Sequence, residues 1–154
     1  MSSDRDSPVE YLTALFQVLK LEQVILIVPS MSGRFGLPFL VKHPELVSGF
    51  VPVAPIATES VSQSQLQSLQ VNFFSFFLSF NSRIELIVCS FFKVPTLSII
   101  GENDARLGRI SLNNLKVIPN FQNVVLKNAG HAAYLDEPEK FHNLLFNFAQ
   151  KLQK

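Results

Sequence analysis

Residues 24–33 (VILIVPSMSG) form an apolar run that stops abruptly at a serine flanked by small residues. A buried strand ending in such a serine is typical of a nucleophile elbow, a sharp strand-to-helix turn that exposes the hydroxyl. Two serines compete for this position. With Ser30 as the nucleophile, the residue two places later is Ser32, which is small enough for the turn. With Ser32 as the nucleophile, that place belongs to Arg34, which would crowd the turn. The spacing favours Ser30, although the usual G-x-S-x-G pattern reads Val-Pro-Ser-Met-Ser here.

Two later apolar runs also end in polar residues. Residues 95–101 (PTLSIIG) lead into Glu-Asn-Asp, and residues 123–127 (NVVLK) lead into Asn-Ala-Gly followed by His131. The chain order of serine, acid and histidine is the order that the α/β-hydrolase fold imposes. A serine hydroxyl is a weak nucleophile until a histidine takes its proton, and a carboxylate fixes the tautomer of that histidine. The three motifs therefore predict a catalytic triad at three strand ends.

The acid of this triad has two candidates, Glu102 and Asp104. Asp104 is favoured because its later position in the loop suits contact with His131, and Glu102 stays open as the alternative. Gly130 is predicted to permit a tight turn that brings the imidazole over the serine. The two other histidines, His43 and His142, are predicted to lie on helix surfaces.

The rest of the chain alternates between helical and extended patterns. This alternation predicts a parallel sheet with helices on both faces. Pro52 requires a local adjustment in its strand because proline has no N–H to donate. The segment from Asp136 to Glu139 is predicted to cap the last helix. The predicted helices cover residues 9–19, 31–43 and 109–117 and the segment after 139, and the remaining predicted strands cover residues 24–29 and 49–54.

The composition argues against several classes of function. The 154 residues are 47% hydrophobic and only 16% charged, with a net charge of +1, which argues against a nucleic-acid partner. The single cysteine, Cys89, has no internal partner, and three histidines without metal-ligand spacing predict no metal site. The N-terminal MSSDRDSP shows no secretory signal. These features predict a cytoplasmic protein, with a nuclear location also open.

Three segments carry a resemblance to a known family: residues 28–60 (VPSMSGRFGLPFLVKHPELVSGFVPVAPIATES), 93–108 (KVPTLSIIGENDARLG) and 128–142 (NAGHAAYLDEPEKFH). They resemble the α/β-hydrolase domain-containing protein 14 family, which has A-type and B-type members. The resemblance implies that Ser30 is the nucleophile, Asp104 the acid and His131 the base. It also implies a serine hydrolase of small acyl esters that needs no bound cofactor. The B-type member is associated with moving acetyl from lysine to coenzyme A, so coenzyme A is a candidate acyl acceptor.

The chain departs from this family at its beginning. It starts near the helix before the nucleophile strand, whereas a full α/β-hydrolase has several strands earlier. We therefore expect one truncated domain over residues 1–154, with the Met31 N–H as the surviving oxyanion donor and the second donor missing. We also expect the chain alone to be poorly soluble and nearly inactive. The competing interpretation is a non-catalytic fragment that binds a protein partner.

A second departure is the phenylalanine-rich segment of residues 71–92 (VNFFSFFLSFNSRIELIVCSFF), which has no counterpart in the family. Its length suits a membrane span, but Asn81, Arg83 and Glu85 in its middle are costly at bilayer depth. We interpret it as a foreign insertion rather than a membrane anchor. Residues 58–70, rich in serine and glutamine, are predicted to form a loop or cap above the site.

Overall fold

The computed structural model describes residues 8–56, 94–116, 118 and 120–153. The predicted cap of residues 58–70 and the insertion of residues 71–92 lie outside the described residues. The described elements alternate as the sequence predicts, with bounds that differ by a few residues. In chain order they are α1 (Pro8–Leu19), β1 (Val24–Pro29), a 3-10 turn (Ser30–Ser32), α2 (Gly33–Lys42), a second 3-10 turn (Pro44–Leu46), β2 (Val47–Val53), β3 (Thr96–Gly101), α3 (Leu107–Leu115), β4 (Phe121–Leu126), α4 (Ala133–Asp136) and α5 (Pro138–Leu152).

The four strands form one parallel sheet in the order β1-β2-β3-β4. All six residues of β3 are buried, as expected for a strand covered on both faces. Among the described residues β1 pairs with β2 alone, so it forms an edge of this sheet. The predicted parallel sheet flanked by helices is confirmed.

Two hydrophobic cores lie on opposite faces of the sheet. One joins α1, α2 and α3 to the sheet around the fully buried rings of Phe39 and Phe50. The other joins α4 and α5 to the opposite face around Ile99 and Val53, which Phe141 and Phe148 cover. Alternation along a strand explains this division, since Phe50 and Val53 point to opposite faces. The sheet is therefore packed on both sides, which fixes the position of its strand ends.

Pro52 lies inside β2, a central strand of the described sheet. Its partner in β1 is Val28, whereas β2 meets β3 at Phe50–Thr96 and Val53–Ile99. No pair forms at Pro52 on the β3 side because proline has no N–H for the ladder. The local adjustment that the sequence predicts at Pro52 is thus an interruption of the hydrogen-bond ladder between β2 and β3.

The start of α5 differs from the prediction. The helix begins with Pro138 in its first turn, and no side chain caps its first N–H groups. Asp136 instead ends the short helix α4, which the sequence did not predict. Proline suits the first turn because its missing N–H would have no helical partner. The carboxylate of Asp136 is therefore available for another contact.

Candidate active site

The three predicted triad residues lie at the carboxyl ends of three parallel strands. Ser30 follows β1, Asp104 follows β3, and His131 follows β4. Because parallel strands end at the same edge of a sheet, residues distant in sequence meet there. The sheet order places β2 and β3 between the ends of β1 and β4.

Ser30 occupies a strained backbone position. Its φ is 44°, in the left-handed region that is unfavourable for a residue with a side chain. This conformation costs about 1–2 kcal/mol and persists only when neighbouring contacts hold it. One such contact is a hydrogen bond of 2.9 Å from the Ile56 N–H to the Ser30 carbonyl. No sequence pattern indicates this role for Ile56, which lies after β2.

Ser32 has a different role from Ser30. Its hydroxyl donates a hydrogen bond of 2.6 Å to the carbonyl of Pro29, the last residue of β1. This bond closes the turn between β1 and α2. The hydroxyl of Ser32 is therefore engaged in a contact within the turn.

Two short hydrogen bonds connect the three side chains. The Ser30 hydroxyl lies 2.8 Å from Nε2 of His131, and Nδ1 of His131 lies 2.7 Å from Oδ2 of Asp104. An ionised carboxylate only accepts hydrogen bonds, so Nδ1 keeps its proton and donates a hydrogen bond to Asp104. In the neutral imidazole Nε2 is then the acceptor, and the serine hydroxyl donates to it. This geometry suits proton transfer from the serine oxygen to Nε2.

Burial distinguishes the two ends of this hydrogen-bonded chain. The side chain of Asp104 is 7% exposed, whereas that of His131 is 37% exposed. The carboxylate lies against Gly108 in the first turn of α3, where a Cβ atom would come within 3.1 Å of Oδ2. A helix N-terminus favours a negative charge. The site therefore combines a buried carboxylate with an imidazole that solvent can reach.

Glu102 lies outside the hydrogen-bonded chain of Ser30, His131 and Asp104. Its Oε2 accepts a hydrogen bond of 3.2 Å from the backbone N–H of Asn128. Asn128 has a φ of 64°, so it makes the left-handed turn after β4, and Gly130 has no positive φ. The left-handed residue of this loop is therefore Asn128, two positions before the Gly130 at which the sequence predicts a tight turn. Asparagine tolerates the conformation through its short polar side chain.

Gly101, at the end of β3, touches the loop that carries His131. A Cβ atom at this position would overlap the carbonyl oxygens of Ala129 and Gly130. Both obstacles are backbone atoms, and the Ala129 oxygen accepts a hydrogen bond of 2.9 Å from the Asn103 N–H. A glycine is therefore required where the end of β3 meets the loop after β4.

Replacing Gly101 by alanine is expected to lower the free energy of unfolding by about 3 kcal/mol, at the upper end for an overpacked site. Gly130→Ala is the matched control, because a Cβ there meets its nearest atom at 3.4 Å, an ordinary contact. Urea denaturation followed by circular dichroism measures both changes. Equal stabilities for the two variants would contradict the proposed backbone overlap.

Met31 immediately follows the strained serine in the first 3-10 turn. The first N–H groups of a helical turn have no partner within it, so they are available to an anion. The side chain of Met31 is 59% exposed and contributes little to the core. The backbone N–H of the residue after the nucleophile is one oxyanion donor of α/β-hydrolases. Met31 occupies that position relative to Ser30.

Two kinds of feature are absent from the described part of the chain. No group of three histidine, cysteine, aspartate or glutamate side chains there is arranged to hold a metal ion. Of the helices described, none is long and apolar enough to cross a membrane.

Comparison of the sequence with known proteins finds relatives that match almost the whole chain, although no family model matches it. Rat ABHD14A is 37% identical over 150 residues, which are 97% of this chain and 52% of that protein. Human ABHD14B, provisionally named a protein-lysine deacylase, is 34% identical over 147 residues, covering 96% of this chain and 59% of that protein. The chain thus spans about half the length of the curated relatives it matches.

Solved structures with a similar fold are α/β hydrolases. The metagenomic enzyme MGS-MChE2 from lagoon sediments aligns with a TM-score of 0.67 at 21% identity, over 95% of this chain and 69% of that one. The carboxylesterase CesB of Bacillus subtilis aligns with a TM-score of 0.65 at 20% identity, over 96% and 68%. Identities this low show the fold alone. The chain is thus similar to ABHD14A and ABHD14B over 96–97% of its own length, and its fold is that of the α/β hydrolases.

Proposed function

We propose that this chain is a serine hydrolase of small acyl esters or amides, with Ser30 as nucleophile, His131 as general base and acid, and Asp104 as the residue that orients His131. The observation that carries the proposal is the pair of hydrogen bonds, 2.8 and 2.7 Å long, that connects these side chains. The left-handed backbone of Ser30 adds support, because strain of this kind clusters at active sites.

In the first step the Ser30 oxygen attacks the acyl carbon while its proton passes to Nε2 of His131. The carbonyl oxygen becomes negative, and the Met31 N–H donates a hydrogen bond to it. Asp104 accepts from Nδ1 and stabilises the imidazolium. His131 then gives the proton to the departing alcohol or amine, which leaves an acyl group on Ser30.

In the second step an acceptor removes the acyl group. His131 takes a proton from the acceptor, which attacks the acyl carbon, and returns that proton to the Ser30 oxygen as it departs. The acceptor is water in a hydrolase and a thiol such as that of coenzyme A in an acyltransferase. Measuring product formation with and without coenzyme A distinguishes the two reactions.

We assign oxyanion stabilisation to one group among the described residues, the Met31 N–H. Loss of one oxyanion donor lowers the rate by about 10²–10³ in other enzymes. We therefore expect slow turnover from this chain and a clearer signal from a reagent that reacts only once with the serine. An activated fluorophosphonate is such a reagent.

The experiment combines fluorophosphonate labelling with hydrolysis of p-nitrophenyl acetate and butyrate. We expect one adduct per chain by intact mass, located on Ser30 by peptide mapping, and slow release of p-nitrophenol. Protein unfolded in urea is the control and should not be labelled. Folded protein without an adduct and without turnover would contradict the proposal, and would favour the interpretation of the chain as a protein-interaction module.

A further inference from the structure

One peptide group, between Ala129 and Gly130, is held at both of its polar atoms. Its carbonyl oxygen accepts a hydrogen bond of 2.9 Å from the Asn103 N–H. Its N–H, on Gly130, donates a hydrogen bond of 2.7 Å to Oδ2 of Asp136. Asn103 directly precedes the proposed acid, and Gly130 directly precedes the proposed base. This peptide group therefore connects the loops that carry the two residues.

The bond to Asp136 is the shorter of the two. A carboxylate that accepts from a backbone N–H makes a charge-assisted hydrogen bond, which is stronger than one between neutral groups. The bond also polarises the peptide group and strengthens the bond that its carbonyl oxygen accepts from Asn103. The carboxylate thus reinforces the contact between the two loops without touching the triad.

The position of this peptide group determines where the His131 ring lies. Its N–H belongs to the residue before His131, so a rotation of the peptide plane displaces the His131 backbone. The ring has to keep hydrogen bonds of 2.8 Å to Ser30 and 2.7 Å to Asp104 at once. A displacement of about 1 Å lowers catalytic rates by about 10²-fold in other enzymes.

Asp136 is itself well placed to hold the peptide group. It ends the short helix α4, whose backbone is fixed by bonds from the N–H groups of Leu135 and Glu137 to Ala132 and Ala133. The carboxylate is exposed to solvent, so water screens its charge. Its contribution should therefore come from the accepted hydrogen bond and its geometry rather than from a long-range field.

We propose that Asp136 is a positioning residue, which orients His131 by accepting a hydrogen bond from the Gly130 N–H. The catalytic part of this inference rests on the proposed function. The structural part, that the His131–Asp104 hydrogen bond depends on Asp136, can be measured without any activity.

The first test compares Asp136→Ala, Asp136→Asn and the control Glu137→Gln in fluorophosphonate labelling. Glu137 is the neighbouring carboxylate and pairs with Lys140 at 2.8 Å, so the control changes the same charge outside the His131 loop. We expect Asp136→Ala to label about 30- to 100-fold more slowly, from the cost of misplacement. Asp136→Asn keeps an acceptor and should lie within about threefold of the parent, like the control.

The second test is the low-field proton resonance of the His131 Nδ1–H in the NMR spectrum. We expect the resonance in the parent and in Asp136→Asn, and its loss or broadening in Asp136→Ala. If Asp136→Ala does not fold, Asp136→Glu replaces it, because the extra methylene displaces the carboxylate. The labelling rate of Asp136→Glu should then be lower than that of Asp136→Asn.

These measurements separate the two proposals. Labelling and a resonance in Asp136→Ala that both match the parent would overturn the positioning role, as would equal rates for the Glu and Asn variants. A parent that is not labelled, but whose resonance depends on Asp136, would support the positioning role and reject the proposed function.

Discussion

Ser30→Ala is expected to reduce fluorophosphonate labelling and ester hydrolysis to the background rate. The variant removes the oxygen that lies 2.8 Å from Nε2 of His131 and leaves the strained backbone unchanged. Without that oxygen no acyl or phosphonyl adduct can form, whatever the state of the imidazole. Intact mass spectrometry of the labelled protein is the direct measurement.

Ser32→Ala is the matched control, because it removes the other hydroxyl of the elbow. That hydroxyl binds the Pro29 carbonyl, so its loss should lower the free energy of unfolding by about 1 kcal/mol and leave much of the labelling. Labelling of Ser30→Ala at the parent's rate would contradict the assignment of Ser30 as the nucleophile. A complete loss of labelling in Ser32→Ala alone would assign that role to Ser32.

Asp104→Asn is expected to slow phosphonate labelling by about 10⁴, the loss seen when the orienting carboxylate of another triad becomes an amide. The amide can present its NH₂ to Nδ1 of His131, which then accepts, so the proton moves to Nε2. In that tautomer Nε2 donates to Ser30 and can no longer take its proton. The second-order rate constant for labelling measures the change directly and needs no turnover.

Glu102→Gln is the control for the acid. The glutamine keeps an oxygen that can accept from the Asn128 N–H, so the loop should stay in place and the rate should change little. A larger loss in Glu102→Gln than in Asp104→Asn would show that the assignment of the acid is wrong.

The sequence predicted most of the features that place the site, because they depend on local patterns. Apolar runs that stop at polar residues identified β1, β3 and β4 and the three side chains that follow them. The preference for Ser30 over Ser32, which stays a prediction, rested on the size of the residue two places later. In parallel sheets such runs end at one edge, so the order of the motifs was enough to bring the three residues together.

The contacts that hold the site were not predictable, because they join segments far apart in the chain or depend on backbone angles. The sequence predicts a tight turn at Gly130, whereas the left-handed residue of this loop is Asn128, whose type allows that conformation but does not demand it. Asp136 lies in the segment predicted to cap the last helix, since an acid before a helix usually has that role, but its carboxylate accepts a hydrogen bond from the Gly130 N–H instead.

His43 gives a further example of a misjudged environment. It was expected on a helix surface, yet its side chain is only 20% exposed, and Nε2 lies 3.0 Å from Oγ1 of Thr13. Thr13 belongs to α1, and the two residues are 30 positions apart. Only the packing of α1 against α2 creates this contact, so periodicity along either helix could not reveal it. His142 does lie on a surface, as predicted.

The hydrogen bond between Ser30 and His131 spans 101 positions of the chain. Contacts between such distant residues form only after the intervening strands have aligned, and closing so long a loop carries an entropic cost that local structure does not. A reactive serine therefore reports that β1 and β4 have both joined the sheet. During refolding from urea, the appearance of phosphonate labelling should follow the slowest assembly step rather than the formation of the first helices.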